Sequence, residues 1–254
     1  MKLCILGATG NTGRRLVRQA LDRGFAVTAV ARVGGGSVEV QHDNLTVKSV
    51  DYAAGKELVD AMKGHDAVVC AAGYVSDPTF PTLIQRVVAA ADEALGPDGR
   101  FWMFAGAALS DVPDIGVMTM DLPHIPPVFE AHRVNYSTVR GSKLDWSILC
   151  PGPMIASPDG KATEGLILAK DTWPLPRPAY TKILPRIALS VAFKLYLPRL
   201  TIYYEDAAKV ILDNLDKSGR FSRSRVAVAL PKGVARHKEG YSTKPAPVDA
   251  DRRA

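Results

Sequence analysis

Cysteine is scarce: three in 254 residues, at Cys4, Cys70 and Cys150. An odd count at such wide spacing argues against a disulfide framework. Each lies in or at the end of an apolar run, so buried reduced thiols are expected. Aromatic residues are also few, at 7%. There is no module of interleaved cations and aromatics, no zinc-ligand spacing and no internal repeat, so no nucleic acid and no metal is expected as a partner. No uninterrupted apolar run is long enough to span a bilayer, which argues against an integral membrane protein. Met1-Lys2 leads straight into a strand-like run, so no secretory signal is expected and the cytoplasm is the default location.

What is present is an ordinary globular composition, 47% hydrophobic and 23% charged, with a formal net charge of +6. That length suffices for one large α/β domain, alone or with a small lobe. The modest positive charge suits phosphate-bearing ligands.

The chain alternates strand and helix signals. Leu3–Leu6 is a short apolar run stopped by glycine. Leu16, Val17, Ala20 and Leu21 then recur at helical spacing up to Gly24. Strands are expected over 25–31, 45–50, 66–73, 101–105 and 145–150, with helices over 56–63, 81–95 and 128–140. A last helix and strand are expected over 205–215 and 225–230. This pattern predicts a Rossmann-type α/β fold: a doubly wound parallel sheet with helices on both faces. Residues 1–155 and 203–231 form the dinucleotide-binding domain in this reading. Residues 156–202 form a small, mostly helical insertion on the substrate side, and the polar stretch 232–254 is expected to be a disordered tail.

Ligands of such sheets lie beyond the carboxyl ends of the strands. The turn after the first strand reads Gly7-Ala8-Thr9-Gly10-Asn11-Thr12-Gly13. A pyrophosphate needs bare backbone N–H groups and the positive end of a helix, which a glycine turn opening a helix supplies. Gly7 permits the tight turn, Gly10 a close approach and Gly13 helix packing near the sheet; Thr9 and Thr12 add hydroxyls. The spacing is G-x-x-G-x-x-G, and its place between a strand and a helix is what gives it weight. Other strand-end positions expected along the cofactor are Asp51, Ala71-Ala72-Gly73, Ala105-Gly106 and Pro151-Gly152-Pro153-Met154. At the end of the second strand, where an acid would bind the ribose of NAD, stands Arg32. A guanidinium pairs with the 2′-phosphate of NADP(H), with Arg14 as a second cation nearby; the alternative is that Arg32 is a solvated surface charge.

The glycine turn and Val27-Thr28-Ala29-Val30-Ala31-Arg32 resemble the atypical short-chain dehydrogenase/reductases, in particular NmrA-like and biliverdin reductase B (flavin reductase)-like members. Val50-Asp51 resembles the strand-end acid beside the adenine in that family. The run Lys143 to Pro153 resembles its sixth strand and Pro-rich turn. The resemblance covers roughly residues 1–155. It implies a Rossmann-type domain, NADP(H), and reduction of a carbonyl or flavin-like acceptor. Two features depart from the classical pattern. Ala105-Gly106-Ala107-Ala108-Leu109-Ser110 has no hydroxyl where a carbonyl-polarising serine is expected, and Tyr-x-x-x-Lys appears only as Tyr136 to Arg140.

His132, Tyr136 and Arg140 recur at helical spacing and form one candidate catalytic stripe: an imidazole, a phenol and a cation to lower the phenol's pKa. The alternative is an ordinary polar helix face. If 183–197 is helical, Lys182, Arg186, Ser190 and Lys194 form one polar stripe on an otherwise apolar segment that Pro185 and Pro198 break or bound. Core packing, a homodimer contact, a wall for an apolar small-molecule substrate and a membrane-surface helix are the readings for it, with the substrate wall favoured over the membrane. Two functions follow: an NADPH-dependent reductase of a carbonyl, quinone or flavin-like compound, or a non-catalytic NADP(H) sensor of the NmrA-like kind.

Overall fold

Side chains alternate across the first strand, β1 (Lys2–Leu6): Cys4 and Leu6 face one apolar layer, Leu3 and Ile5 the other, and all four are fully buried. A strand buried on both faces belongs in the middle of a covered parallel sheet. The computed structural model describes residues 1–182 and 186–239. In chain order β1 is followed by α1 (Asn11–Asp22), β2 (Ala26–Arg32), β3 (Leu45–Val50), α2 (Gly55–Met62) and β4 (Ala67–Cys70). Then come α3 (Phe80–Leu95), β5 (Arg100–Phe104), α4 (Glu130–Arg140), β6 (Asp145–Cys150), β7 (Met154–Ile155) and β8 (Ile167–Lys170). The chain continues with α5 (Arg186–Leu200), β9 (Ile202–Tyr203), α6 (Tyr204–Leu212) and β10 (Ser224–Ala229).

Among the described residues, eight strands form one sheet in the order β3-β2-β1-β4-β5-β6-β10-β8. Every pairing is parallel except that of β8 with β10. Helices α2, α3 and α4 cover one face, and α1 and α6 the other. This is the doubly wound Rossmann-type α/β fold. From β1 the chain crosses to β2 on one side, and β4 lies on the other, so the crevice opens between the ends of β1 and β4.

The region 156–202 differs from its expectation in detail. Besides a helix it supplies β8, which closes the sheet edge next to β10, while β7 and β9 pair apart from the main sheet. Period-based reading misses strands of two to four residues because they carry too few positions to show alternation. Helix α5 begins at Arg186; residues 183–185 of the expected 183–197 helix lie outside the described residues. It does not stop at Pro198 but runs through it to Leu200. A proline in the last turn removes one helical hydrogen bond, that to the Lys194 carbonyl, on a side of the helix that faces solvent. The expected polar stripe is also redistributed. Ser190 is buried and donates to the Pro123 carbonyl at 2.6 Å, whereas Ile187, Val191 and Leu195 are exposed.

Within 232–239, expected as part of a disordered tail, Arg236 is anchored on the fold; 240–254 lie outside the described residues. The Arg236 backbone N–H donates to the Pro198 carbonyl at 2.8 Å. Its guanidinium lies 3.5 Å from the Tyr203 ring centroid and 3.2 Å from fully buried Asp206, and donates to Thr163 at 2.7 Å. One arginine thus supplies anchorage that composition alone does not reveal.

Candidate functional site

The glycine turn is built by backbone crowding. Gly7 has φ of +73°, and a Cβ there would lie 2.7 Å from the Ala72 nitrogen and 2.8 Å from the Ala71 carbonyl carbon, both backbone atoms of the segment after β4. A Cβ on Gly13 would collide with the Gly7 carbonyl oxygen, so the first turn of α1 rests directly on the turn. Gly10 is different: its φ is −73°, and the nearest atom to an added Cβ is the Gly7 oxygen at 3.3 Å. At Gly10 an added Cβ would press on that one backbone oxygen and meet no other atom of the protein within 4 Å. No side chain caps α1, so the N–H groups of its first turn stay available beside the cleft.

Tyr52 supports this turn from below. Its hydroxyl accepts the Gly7 N–H at 2.8 Å and donates to the Val30 carbonyl at 3.2 Å, tying β1 to β2. Burial pushes its phenol pKa upward, so it stays protonated and serves as a fixed hydrogen-bonding post. The sequence points to its neighbour Asp51 only, because a buried tyrosine two residues past a strand carries no local mark of the partner it will meet 45 residues away.

A cleft of about 670 Å³ lies over the turn. Gly7, Thr9 and Gly10 line it from one side, Ala71-Ala72-Gly73 from another, and Arg32 and Asp51 at the far end with Gly35 and Gly36. Arg32 is exposed at the rim and forms no ion pair among the described residues. Arg86, on α3, is a second exposed arginine lining this cleft that the sequence reading did not single out. Asn11 is exposed at the start of α1, where its side-chain oxygen accepts from Arg14 at 2.6 Å. Arg14 is thereby directed to Asn11.

Beyond Gly73 the cleft continues into a hollow of about 130 Å³ that Thr12, Ala105, His132 and Met154 help to line. It then opens into a chamber of about 380 Å³. Tyr74 lines both the cleft and the chamber. Ala105, Gly106 and Pro151 to Met154 form the chamber floor. The Ala107 N–H donates to the Pro151 carbonyl at 2.7 Å, which locks the turn after β5 to the turn after β6. Its far wall comes from Ile125, Pro126 and Phe129 before α4, and from Phe193, Lys194 and Leu197 of α5.

The expected stripe on α4 divides. His132 reaches the hollow, with Nε2 3.2 Å from where a Cβ on Gly106 would stand. It stacks on Phe129 and meets Phe80 edge-on, and its Nδ1 has no hydrogen-bond partner among the described residues. Burial pushes its pKa down to about 4, so the expectation of a group titrating near neutrality is corrected. Tyr136 lies outside these cavities. Its ring packs edge-on against Trp146 at 5.8 Å and faces Arg225 at 5.1 Å and Arg140 at 6.0 Å. Arg140 is exposed and also lines none of them. Spacing put the three on one helix face, but each helical turn carries the next residue about 5.4 Å further along the axis, so only His132 reaches the hollow. Ser110 is buried, its hydroxyl has no hydrogen-bond partner among the described residues, and it does not line the chamber. The three cysteines are free and buried, and burial raises the thiol pKa of each. Among the described residues no group of side chains is arranged to hold a metal ion, and no helix is long and apolar enough to cross a membrane.

Comparison with known proteins agrees with this geometry. The profile of a family described as NAD(P)H-binding matches residues 7–173. An uncharacterised chloroplastic protein of Arabidopsis thaliana is 39% identical over 77 residues, which is 29% of this chain and 28% of that protein's length. Among solved structures, an NADH-flavin reductase candidate from Streptococcus pneumoniae superposes with a TM-score of 0.68 at 23% identity, covering 91% of this chain and 100% of that one. A short-chain dehydrogenase/reductase from Veillonella parvula in complex with NADP gives 0.65 at 17% identity, covering 94% and 99%. An epimerase candidate from Bacteroides thetaiotaomicron gives 0.69 at 22%, covering 90% and 96%. At these identities the likeness is one of fold.

Proposed function

The chain belongs to the NAD(P)H-binding family, of the atypical short-chain dehydrogenase/reductase kind, and from that premise we propose that it is an NADPH-dependent oxidoreductase acting on an apolar small molecule. The observation that carries this reading is the continuity of the three cavities, from the glycine turn past Gly73 into a largely apolar chamber. The backbone of Gly7 to Gly13 would hold the pyrophosphate of a dinucleotide, and Arg32 would hold its 2′-phosphate. The bound cofactor supplies the hydride. The protein aligns the acceptor between the 151–154 turn and α5 and limits water through Phe129, Phe193 and Leu197.

The placement of proton-bearing groups narrows the acceptor. Those lining the chamber are Tyr74, His124, Lys194 and Lys238, all exposed, while Tyr136 and Ser110 do not line it. A quinone or a flavin takes up one hydride and one proton, and that proton can come from water. This arrangement therefore favours a quinone or flavin-like acceptor over a ketone that requires a fixed acid. The same displacement of Tyr136 and Ser110 favours a second reading, the non-catalytic NADP(H) sensor. A panel of quinones, flavins and ketones with NADPH and NADH separates the two. Oxidation of NADPH by at least one quinone or flavin is expected. Tight NADPH binding with no oxidation by any acceptor refutes the enzyme reading in favour of the sensor.

A further inference from the structure

Two lysines from distant parts of the chain meet at the apolar chamber. Lys194 projects from α5, whose Phe193 and Leu197 form the wall. Lys238 belongs to the segment strapped down by Arg236, two residues earlier, through Asp206, Tyr203 and Thr163. Both lysines are exposed, and neither forms an ion pair among the described residues. No carboxylate is among the described residues lining the chamber, and His124 adds an imidazole at its rim. Of the acids on neighbouring segments, Asp121 and Glu130 are both engaged by Arg133, and Glu239, exposed beside Lys238, is not among the residues that line the chamber.

These lysines do not serve the cofactor phosphates in the bound arrangement proposed above. Gly7, Thr9 and Gly10 line the opposite cavity, and the hollow containing Thr12 lies between. Two cations at an apolar chamber, with no carboxylate lining it among the described residues, match a ligand with an apolar ring and a negative substituent. Lysine is suited to this as a mobile point charge on an apolar stem that can lie along the ring.

We propose that the acceptor is a ring compound bearing an anionic group, a carboxylate, sulfonate or phosphate, and that Lys194 and Lys238 recognise that group. The proposal rests on the oxidoreductase reading, and its test requires no turnover. Protein saturated with NADP+ is titrated with 2-naphthol and with 2-naphthol-6-sulfonate, and binding is followed by the fluorescence of each probe. The sulfonate is expected to bind about tenfold more tightly at low ionic strength, as two partly solvated ion pairs would give, with the margin narrowing as salt is added. In the Lys194→Gln, Lys238→Gln double variant the two probes should bind within about twofold of each other. Arg236→Ala, which releases the strap but keeps both lysines, should remove part of the preference.

Equal affinity for the two probes in the unmodified protein overturns the proposal. So does a sulfonate preference that persists in the double variant, or failure of both probes to bind. If the sulfonate preference is found but no acceptor oxidises NADPH, the anion site stands and the oxidoreductase reading falls.

Discussion

Replacing Arg32 with alanine should weaken NADPH binding while leaving NADH binding nearly unchanged. The guanidinium stands at the cleft rim, exposed and without an ion-pair partner among the described residues, so its removal strands no buried charge. A hydrogen bond between charged groups contributes about 1.5–3 kcal/mol. Solvent screening at an exposed rim lowers this to about 1–2 kcal/mol, or about a 5- to 30-fold rise in the NADPH dissociation constant. For NADH, which lacks the 2′-phosphate, the change should stay within about twofold. Arg32→Lys should fall between, since an ammonium keeps the charge but loses the paired geometry. Calorimetric titration of both cofactors into the three proteins measures this directly. An equal loss for NADPH and NADH refutes the reasoning. So does a selective loss of NADPH in Arg86→Ala that Arg32→Ala does not produce, because Arg86 lines the same cleft.

Tyr52→Phe deletes the hydroxyl shared by the Gly7 N–H and the Val30 carbonyl, but those two also bond each other at 3.0 Å, so neither is orphaned. A loss of about 1 kcal/mol and a fall of about 2–4 °C in Tm are expected by calorimetry; an unchanged Tm would remove Tyr52 from the support of the turn. His132 is neutral in the fold, with its pKa pushed down to about 4 by burial against 6.5 in an open chain. The unfolded chain therefore binds more protons between those values, and this group's contribution is intact above pH 6.5 and lost as pH falls toward 4. Denaturant titrations should show that decline, at most about 1.4 kcal/mol per pH unit, and His132→Leu should flatten it; an identical slope in the variant refutes the assignment. Cys4, Cys70 and Cys150 are buried, with thiol pKa values pushed up to about 12, 11 and 12. A thiol-disulfide reagent at neutral pH should modify none of them in the folded protein and all three in denaturant.

The sequence carried the glycine turn, the alternation of strands and helices, and Arg32 at the end of β2. Each is a local property. Gly7 answers to its own φ, Leu16 to Leu21 to the helical period, and β1 to a run that must be buried on both faces. Such features are fixed within a few residues and can be read there. The tertiary structure decided which way side chains look and what they meet. It turned Tyr136 toward Trp146, sank His132 until it lost its neutral-range titration, and brought Tyr52 under Gly7. It also anchored Arg236 on the fold and brought Lys238 and Lys194 to the lining of one chamber. These depend on contacts between residues tens of positions apart. Their free energies come from packing and burial of the folded whole, and no short window of sequence contains them.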